Sequence, residues 1–171
     1  MFHLNKSIEQ PMKTYYNSPI GRCVITGNAQ KITSIRIEEE STSFSGQLPA
    51  YMEKCLEELE AYFHHGLERF TVDLAVEQGT TFQQNVWNEL LNIPYGRTST
   101  YLKIAEKVST KKAVRAVGRC VGSNPFAFMV PCHRVIGTDG SLTGFAYGLE
   151  AKRWLLELEK SKLYGKQNKL F

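Results

Sequence analysis

The sequence predicts an α+β fold in two parts, a small sheet with one helix followed by a mainly helical region. In the first third, apolar and polar residues alternate as they do in half-buried strands. From about Pro49 the apolar residues recur every three or four positions, which is the helical period. The turn-like stretch EQGT, which ends at Thr80, closes the first part. We therefore expect domains at residues 1–79 and 80–171.

The three strands expected in the first part are TYYNS from Thr14, CVIT from Cys23 and ITSIRI from Ile32. Turn-like residues join them, so the predicted sheet is antiparallel. An amphipathic helix follows from about Pro49 and stops at Gly66. Its apolar positions are Cys55, Leu56, Leu59, Tyr62 and Phe63. The stretch ERFTVDLAV then returns to a strand pattern.

The second part opens on a helix, with Thr81 as the predicted N-cap and Gln84 closing a capping box. The stretch IPYG ends this helix. Two short helices are predicted next, at Tyr101–Val108 and 111–121, in the outline of a helix-turn-helix. Such pairs also occur in domains that bind no nucleic acid, so the pair alone does not establish DNA binding.

Length and composition exclude several classes of protein. A chain of 171 residues with 42% hydrophobic residues can bury a core, which argues against disorder. Neither a signal peptide nor about 18 uninterrupted apolar residues is visible, so we expect a cytoplasmic protein without membrane contact. No C-x-x-C pair occurs, so neither a disulfide framework nor a cysteine zinc site is expected. The cysteines are Cys23, Cys55, Cys120 and Cys132.

Charge is distributed unevenly along the chain, whose net charge is +4. Residues 1–79 contain 7 Lys and Arg against 11 Asp and Glu, so this part carries −4. Residues 80–171 contain 14 against 6, so this part carries +8. A basic half suggests a polyanionic partner, most simply nucleic acid. A solvated surface with a lysine-rich tail explains the charge equally well.

The second short helix combines small and basic residues. Small side chains let a helix approach another surface closely, and basic groups suit phosphates. The alternative is that the alanines pack against a neighbouring helix while Arg115 extends into solvent. The candidate DNA-binding residues are Lys111, Lys112, Ala113, Arg115, Ala116 and Gly118.

The stretch FMVPCHRVIG places a thiol beside an imidazole and a guanidinium within an apolar run. A thiol becomes a nucleophile as thiolate, and we expect the neighbouring His133 and Arg134 to lower the Cys132 pKa. In an extended segment adjacent side chains point apart, so a bridging water or a bent backbone would have to connect Cys132 to His133. The alternatives are a buried structural cysteine and a cysteine hydrolase.

A predicted helix that runs to about Glu159 places Lys152, Leu156 and Glu159 on one face. A carboxylate on that face could orient His133 and complete a Cys, His and Glu arrangement. The alternative for Glu159 is an ordinary solvated helix charge.

Five stretches occur together in one order, FQQNVWNELLNIPYGRTSTYLKIA, AVRAVGRCVGSNPF, VPCHRVIG, GSLTGF and KRWLLELE. In order and spacing they resemble the O6-alkylguanine-DNA alkyltransferases, also called methylated-DNA–protein-cysteine methyltransferases. The resemblance covers roughly residues 80–160. It implies a ribonuclease H-like N-terminal domain and a C-terminal winged helix-turn-helix domain that carries the active-site cysteine.

The implied activity is DNA repair, in which the protein flips O6-alkylguanine, chiefly O6-methylguanine, out of the duplex and transfers the alkyl group to its own cysteine. The product is a thioether with no easy hydrolytic exit, so each molecule acts once. The resemblance implies no cofactor, a monomer, and duplex DNA as the partner. Some members of the family hold a structural zinc in the N-terminal domain, but here His64 and His65 are adjacent and Cys23 and Cys55 have no clear partners, so we expect no metal.

The resemblance also implies a role for each matching residue. Arg115 would fill the space left by the extruded base, and its helix would lie in the minor groove. Cys132 would accept the alkyl group, His133 would deprotonate it through a water, and Glu159 would orient His133. Tyr101 would donate a proton to guanine N3, assisted by Lys152. Asn124 would form the hinge between the recognition helix and the active-site loop, and the backbone of Cys132, Val135 and Ala146 would contact guanine.

Three departures from the family pattern affect these expectations. Arg119 and Cys120 stand where smaller residues are common, which could alter the surface that meets DNA. Tyr147 stands where many relatives have glycine and could restrict large alkyl groups. Two other classes of function stay open at this point, a non-catalytic lesion-binding protein, which the presence of Cys132 opposes, and a winged-helix regulator, which leaves the stretch PCHRV and Glu159 unexplained.

Overall fold

The computed structural model describes residues 11–38 and 46–167, with side chains as far as Lys160. The N-terminal part is an antiparallel sheet in the order β1-β2-β3, as predicted. The turn between β2 and β3 has positive φ at Ala29 (49°) and Gln30 (68°), the arrangement of a tight two-residue hairpin. The strands are β1 (Met12–Ser18), β2 (Gly21–Asn28) and β3 (Lys31–Ile37).

The predicted helix in this part is confirmed as α1 (Ala50–Glu60). It continues into a wider π-helical turn at Ala61–His65 and ends at Gly66, whose φ of 77° suits glycine. The buried face of α1, which packs on the sheet, consists of Met52, Cys55 and Leu59.

The strand predicted for ERFTVDLAV is wrong. Within the described ranges this stretch forms a single bridge, in which Leu74 lies parallel to Ile32 of β3. The cause lies in α1, because the Glu58 carboxylate accepts hydrogen bonds from the backbone N–H groups of Thr71 (2.8 Å) and Val72 (3.1 Å). These two N–H groups therefore cannot form the backbone hydrogen bonds of a β-strand.

The predicted helices of the second part are present, with two local corrections. The capping box lies one residue earlier than expected, with Thr80 as N-cap and Gln83 closing it, because TTFQQ offers the same spacing twice. The helix expected from residue 111 begins with a 3₁₀ turn at Lys111–Ala113. The helices are α2 (Thr81–Leu91), α3 (Tyr101–Val108) and α4 (Val114–Gly122).

The last elements place the C-terminal residues of the site. Strands β4 (Ser99–Thr100) and β5 (Val135–Ile136) pair in parallel just beyond the PCHR stretch. Helix α5 (Leu149–Gln167) extends beyond the end expected near Glu159. None of the helices in the described ranges has the length and apolar character needed to span a bilayer.

One hydrophobic core joins the two parts. Tyr62 from the first part stacks on Phe128 from the second, with ring centroids 5.6 Å apart and planes 2° from parallel. The Ile35 N–H of β3 also donates to the Pro125 carbonyl at 2.8 Å. The boundary after Gly79 stays a prediction, since the core is continuous across it.

Candidate active site

The stretch PCHR is a 3₁₀ turn, Cys132–Arg134, and not the extended segment considered from the sequence. The turn follows Pro131, and all three of its side chains are buried. Cys132 contacts the Ala127 carbonyl, whereas His133 and Arg134 both contact Glu159. A bent backbone thus allows Cys132 and His133 to serve one site. Contacts in other parts of the chain determine what each of the three side chains does.

Glu159 of α5 is fully buried, so its interpretation as a solvated helix charge is wrong. His133 Nε2 lies 2.8 Å from Glu159 Oε1. The Arg134 guanidinium donates to the same carboxylate, from Nη2 to Oε1 at 2.9 Å and from Nε to Oε2 at 3.0 Å. Burial alone would raise the Glu159 pKa, but the hydrogen bonds from His133 and Arg134 and the guanidinium charge lower it to about 2.

His133 is neutral at pH 7, because burial lowers its pKa from the ordinary 6.5 and outweighs the opposing effect of Glu159. Since Glu159 is ionised and accepts only, the imidazole proton belongs on Nε2. The other nitrogen, Nδ1, is buried and has no hydrogen-bond partner among the described residues. His133 is therefore oriented as a base, with its free lone pair on Nδ1.

Burial raises the Cys132 pKa, although Asn124 and Lys152 oppose the shift. The prediction that His133 and Arg134 lower this pKa is wrong, because His133 is neutral and Arg134 is paired with Glu159. The Cys132 thiol instead donates to the Ala127 carbonyl, with Sγ 3.5 Å from the oxygen. The resting site holds a thiol that needs a base to become reactive.

Asn124 holds the turn before Cys132 through three buried hydrogen bonds. Its Nδ2 donates to the carbonyls of Ala127 and Val130, each at 2.7 Å, and its Oδ1 accepts from the Phe126 N–H at 2.9 Å. Ala127 has a φ of 44°, which is unusual for a residue with a Cβ. Asn124 therefore fixes the backbone that positions the thiol.

Cys132 opens onto a cavity of about 200 Å³. Tyr101 lies at its edge, where its hydroxyl donates to the Thr143 carbonyl at 3.1 Å, and burial raises the Tyr101 pKa. A larger cleft of about 660 Å³ lies by Tyr51, but no thiol or imidazole lines it. The smaller cavity is lined by residues that include Tyr101, Gly118, Asn124, Cys132, Ala146 and Tyr147.

Lys152 of α5 is fully buried and closes one side of this region. Its Nζ donates to the carbonyls of Val135 (2.6 Å), Thr143 (2.7 Å) and Gly144 (3.2 Å). Burial lowers the Lys152 pKa to about 8. Its Nζ lies 6.0 Å from the centre of the Tyr101 ring. Among the predicted catalytic and substrate-binding residues, those that do not line the cavity are His133, Val135, Lys152 and Glu159.

Helix α4 and the 3₁₀ turn before it carry the predicted DNA-binding residues, of which Gly118 lines the cavity. Arg115 is exposed, as are Lys111 and Lys112, while Ala113, Ala116 and Gly118 are half-buried. A Cβ built on Gly118 would meet no atom within 4 Å, so this glycine leaves open space at the cavity mouth. Arg119 and Cys120, the two residues of this helix that depart from the family pattern, differ in exposure: Arg119 is exposed and Cys120 is buried. The Cys120 carbonyl accepts a hydrogen bond from Trp87 Nε1 at 2.9 Å. Only Arg119 can therefore change the outer surface.

Two groups that hydrogen-bond to Glu159 were not predicted from the sequence. Tyr62 and the Gly96 N–H donate to Glu159, at 2.9 and 3.0 Å. The only sequence signal for Tyr62 was its place on the apolar face of a helix, which indicates packing. In the part of the chain that the structure describes, no three His, Cys, Asp or Glu side chains are grouped to hold a metal ion.

Comparison with known proteins identifies the family. Residues 81–161 match the model of the 6-O-methylguanine DNA methyltransferase DNA binding domain, and residues 12–76 match that of its ribonuclease-like domain. These matches confirm the α+β fold class and the ribonuclease-like N-terminal part.

Similar proteins agree with this assignment. A methylated-DNA–protein-cysteine methyltransferase of Haemophilus influenzae is 44% identical over 86% of this chain and 85% of its own length. The crystal structure of the Mycobacterium tuberculosis O6-methylguanine methyltransferase matches with a TM-score of 0.78 at 41% identity, over 89% of this chain and 94% of that one. A structure of Mycobacterium tuberculosis OGT in complex with DNA matches with a TM-score of 0.78 at 43% identity, over 87% and 92%. On this evidence, the chain belongs to the methylated-DNA–protein-cysteine methyltransferase family.

Proposed function

We propose that this protein repairs DNA by transferring the alkyl group of O6-alkylguanine, chiefly O6-methylguanine, to its own Cys132. It is a methylated-DNA–protein-cysteine methyltransferase that acts once per molecule. The observation that carries the assignment to Cys132 is the buried His133 in the same turn, whose Nε2 is held by ionised Glu159 and whose Nδ1 has no hydrogen-bond partner among the described residues.

The chemical step follows from these positions. The Cys132 proton passes to His133 Nδ1 through a water, and the thiolate sulfur attacks the alkyl carbon. The carbon–O6 bond breaks, and its electron pair leaves with guanine. Tyr101 donates its phenolic proton to N3 of the leaving guanine. The products are S-alkyl cysteine and guanine, and the thioether has no hydrolytic route back to the thiol.

The surface around the cavity supports the choice of substrate. The partner is duplex DNA that carries O6-alkylguanine, bound from the minor groove by one copy of the chain. The small residues of α4 and the open space at Gly118 suit the close approach that a narrow groove requires. A cavity of about 200 Å³ with Tyr147 in its lining supports a preference for methyl over larger alkyl groups. Ala146 provides a backbone N–H for O6, and the predicted cytoplasmic location stays a prediction.

The first test is intact-protein mass spectrometry after the protein is mixed with a duplex that contains one O6-methylguanine. We expect one hydrogen to be replaced by one methyl group, with peptide mapping to Cys132 and saturation at one per molecule. Cys132→Ala should remove the modification. Cys120→Ala is the matched control and should keep it. A protein that binds the duplex and stays unmodified would overturn the proposal in favour of lesion binding without catalysis.

Arg115→Ala tests base extrusion. Extruding a base costs a few kcal/mol, so losing the residue that fills the vacated stack should slow transfer from duplex DNA by about 10- to 100-fold. Transfer from the free base O6-methylguanine should be unchanged. Lys112→Ala, at an exposed neighbouring site, should only weaken DNA binding and reduce its salt dependence, by about one unit of slope. Equal slowing on duplex and free base would contradict this role for Arg115.

A further inference from the structure

Tyr62 reaches from the N-terminal part of the molecule into the catalytic centre. It lies in the π-helical turn that follows α1, and its hydroxyl donates to Glu159 Oε1 at 2.9 Å. Tyr62 is 1% exposed and Glu159 is fully buried, so solvent does not compete for this hydrogen bond. A residue 97 positions away in sequence thus contacts the carboxylate that orients His133.

The Tyr62 ring is held by aromatic contacts on several sides. Its centroid lies 5.6 Å from Phe128 in a parallel stack, 5.1 Å from Phe63 in an edge-on contact, and 5.1 Å from Phe70. Phe128 directly follows Ala127, whose carbonyl accepts the Cys132 thiol. Because these ring contacts fix the orientation of Tyr62, they also fix the direction from which its hydroxyl donates to Glu159.

The hydroxyl acts on the oxygen that also faces the base. Glu159 Oε1 accepts from Tyr62, from His133 Nε2 at 2.8 Å and from Arg134 Nη2 at 2.9 Å. A donor at this atom withdraws negative charge from the side that faces the imidazole, and it restricts rotation of the carboxylate.

We propose that Tyr62 is a positioning residue for alkyl transfer, which acts through Glu159 to hold His133 neutral and correctly oriented. The inference rests on the proposed function of the site. It gives the N-terminal part a direct role in the chemistry of the C-terminal part, beyond its contribution to the core.

The expected direction of a pH effect follows from the groups around the pair. The positive charges that face His133 are Arg134 of its own turn and Lys152 of α5, and both favour the neutral imidazole. Tyr62 and Tyr95 face Glu159 as neutral phenols, since burial raises both pKa values. Removing the Tyr62 hydroxyl leaves more negative charge on Oε1, which stabilises the imidazolium. The His133 pKa should then rise, and a higher pH is needed to make it a base.

Tyr62→Phe keeps the ring and removes only the hydroxyl. Tyr16→Phe is the matched control, because the Tyr16 hydroxyl donates to Glu60 Oε2 at 2.8 Å in the same part of the molecule, away from Glu159. Three quantities are measured for each variant: the single-turnover rate of transfer from a duplex containing O6-methylguanine across pH, the Kd for that duplex, and the His133 titration by ¹⁵N NMR of the side chain.

For Tyr62→Phe we expect transfer at pH 7 to fall about tenfold, chiefly because the imidazole is less firmly oriented, with the Kd unchanged and the His133 titration moved up by about half a pH unit. Tyr16→Phe should match the wild type in all three measurements. The inference is overturned if Tyr62→Phe behaves as Tyr16→Phe does, or if it slows transfer without moving the His133 titration, since the loss would then come from stability alone. A wild-type protein that transfers nothing would instead reject the proposed function, and the NMR titration would still test the Tyr62 contact.

Discussion

Arg134→Met is expected to destabilise the fold by about 3–5 kcal/mol, because it leaves a buried carboxylate without its cation. Arg134 is the only charged partner of Glu159 at pH 7 among the described residues, since His133 is neutral there. The same guanidinium also donates to the Ile93 carbonyl at 2.6 Å, and that acceptor would be left unpaired too. Urea denaturation at pH 7 measures the change in the free energy of unfolding.

The pH dependence of this effect has a definite sign. The pKa of Glu159 is lowered on folding, from 4.5 to about 2, so the ionised carboxylate stabilises the native state above pH 4.5. This contribution is lost as pH falls from about 4.5 through about 2. The difference between wild type and Arg134→Met should therefore be full at pH 7 and shrink across that window.

The matched control is Arg119→Met, which removes an exposed arginine from α4 and should change stability by no more than about 0.5 kcal/mol. Equal stability of the two variants at pH 7 would show that the pair between Arg134 and Glu159 contributes nothing to the fold.

Asn124→Ala is expected to lower the free energy of unfolding by about 3–5 kcal/mol and to slow alkyl transfer by about 10²-fold. The substitution removes three buried hydrogen bonds and leaves the Phe126 N–H unpaired, at about 1–3 kcal/mol. The carbonyls of Ala127 and Val130 each keep a donor from Cys132, so each loss there costs about 0.5–1.5 kcal/mol. The substitution also releases Ala127 from a backbone conformation with a φ of 44°, so the turn can relax and move the Cys132 thiol. A displacement of about 1 Å is enough to lower the rate by about 10²-fold.

Thermal unfolding and single-turnover transfer measured together test this prediction, with Asn17→Ala as the control because Asn17 is exposed on β1. Asn124→Asp provides a second variant, which keeps the acceptor for the Phe126 N–H but places a buried carboxylate oxygen against the carbonyls of Ala127 and Val130. At pH 7 it should therefore destabilise the fold at least as much as Asn124→Ala does. Wild-type transfer by folded Asn124→Ala would contradict the role of this side chain in placing the thiol.

Local patterns predicted most of the secondary structure. The three strands, α1, α2 and α3 were all expected from alternation, helical period and capping residues. The strand predicted at residues 68–76 failed for a reason that no local pattern contains. Glu58, more than ten positions earlier, takes the N–H groups of Thr71 and Val72 that a strand would have used.

The sequence by itself determined the chemistry of this protein, since the motif around Cys132 and its spacing to Tyr101 and Glu159 are those of the alkyltransferase family. The tertiary structure decided how those groups are charged. In the folded protein Arg134 pairs with Glu159, His133 is neutral, and burial raises the Cys132 pKa. The sequence had instead suggested two cations beside a thiolate.

The physical reason is that the charge of a buried group depends on desolvation and on partners brought together by folding, neither of which follows from the identity of adjacent residues. Tyr62 is the clearest case. Its helical spacing indicates only that it faces a core, whereas the packing of the two parts of the chain places its hydroxyl on the carboxylate of Glu159.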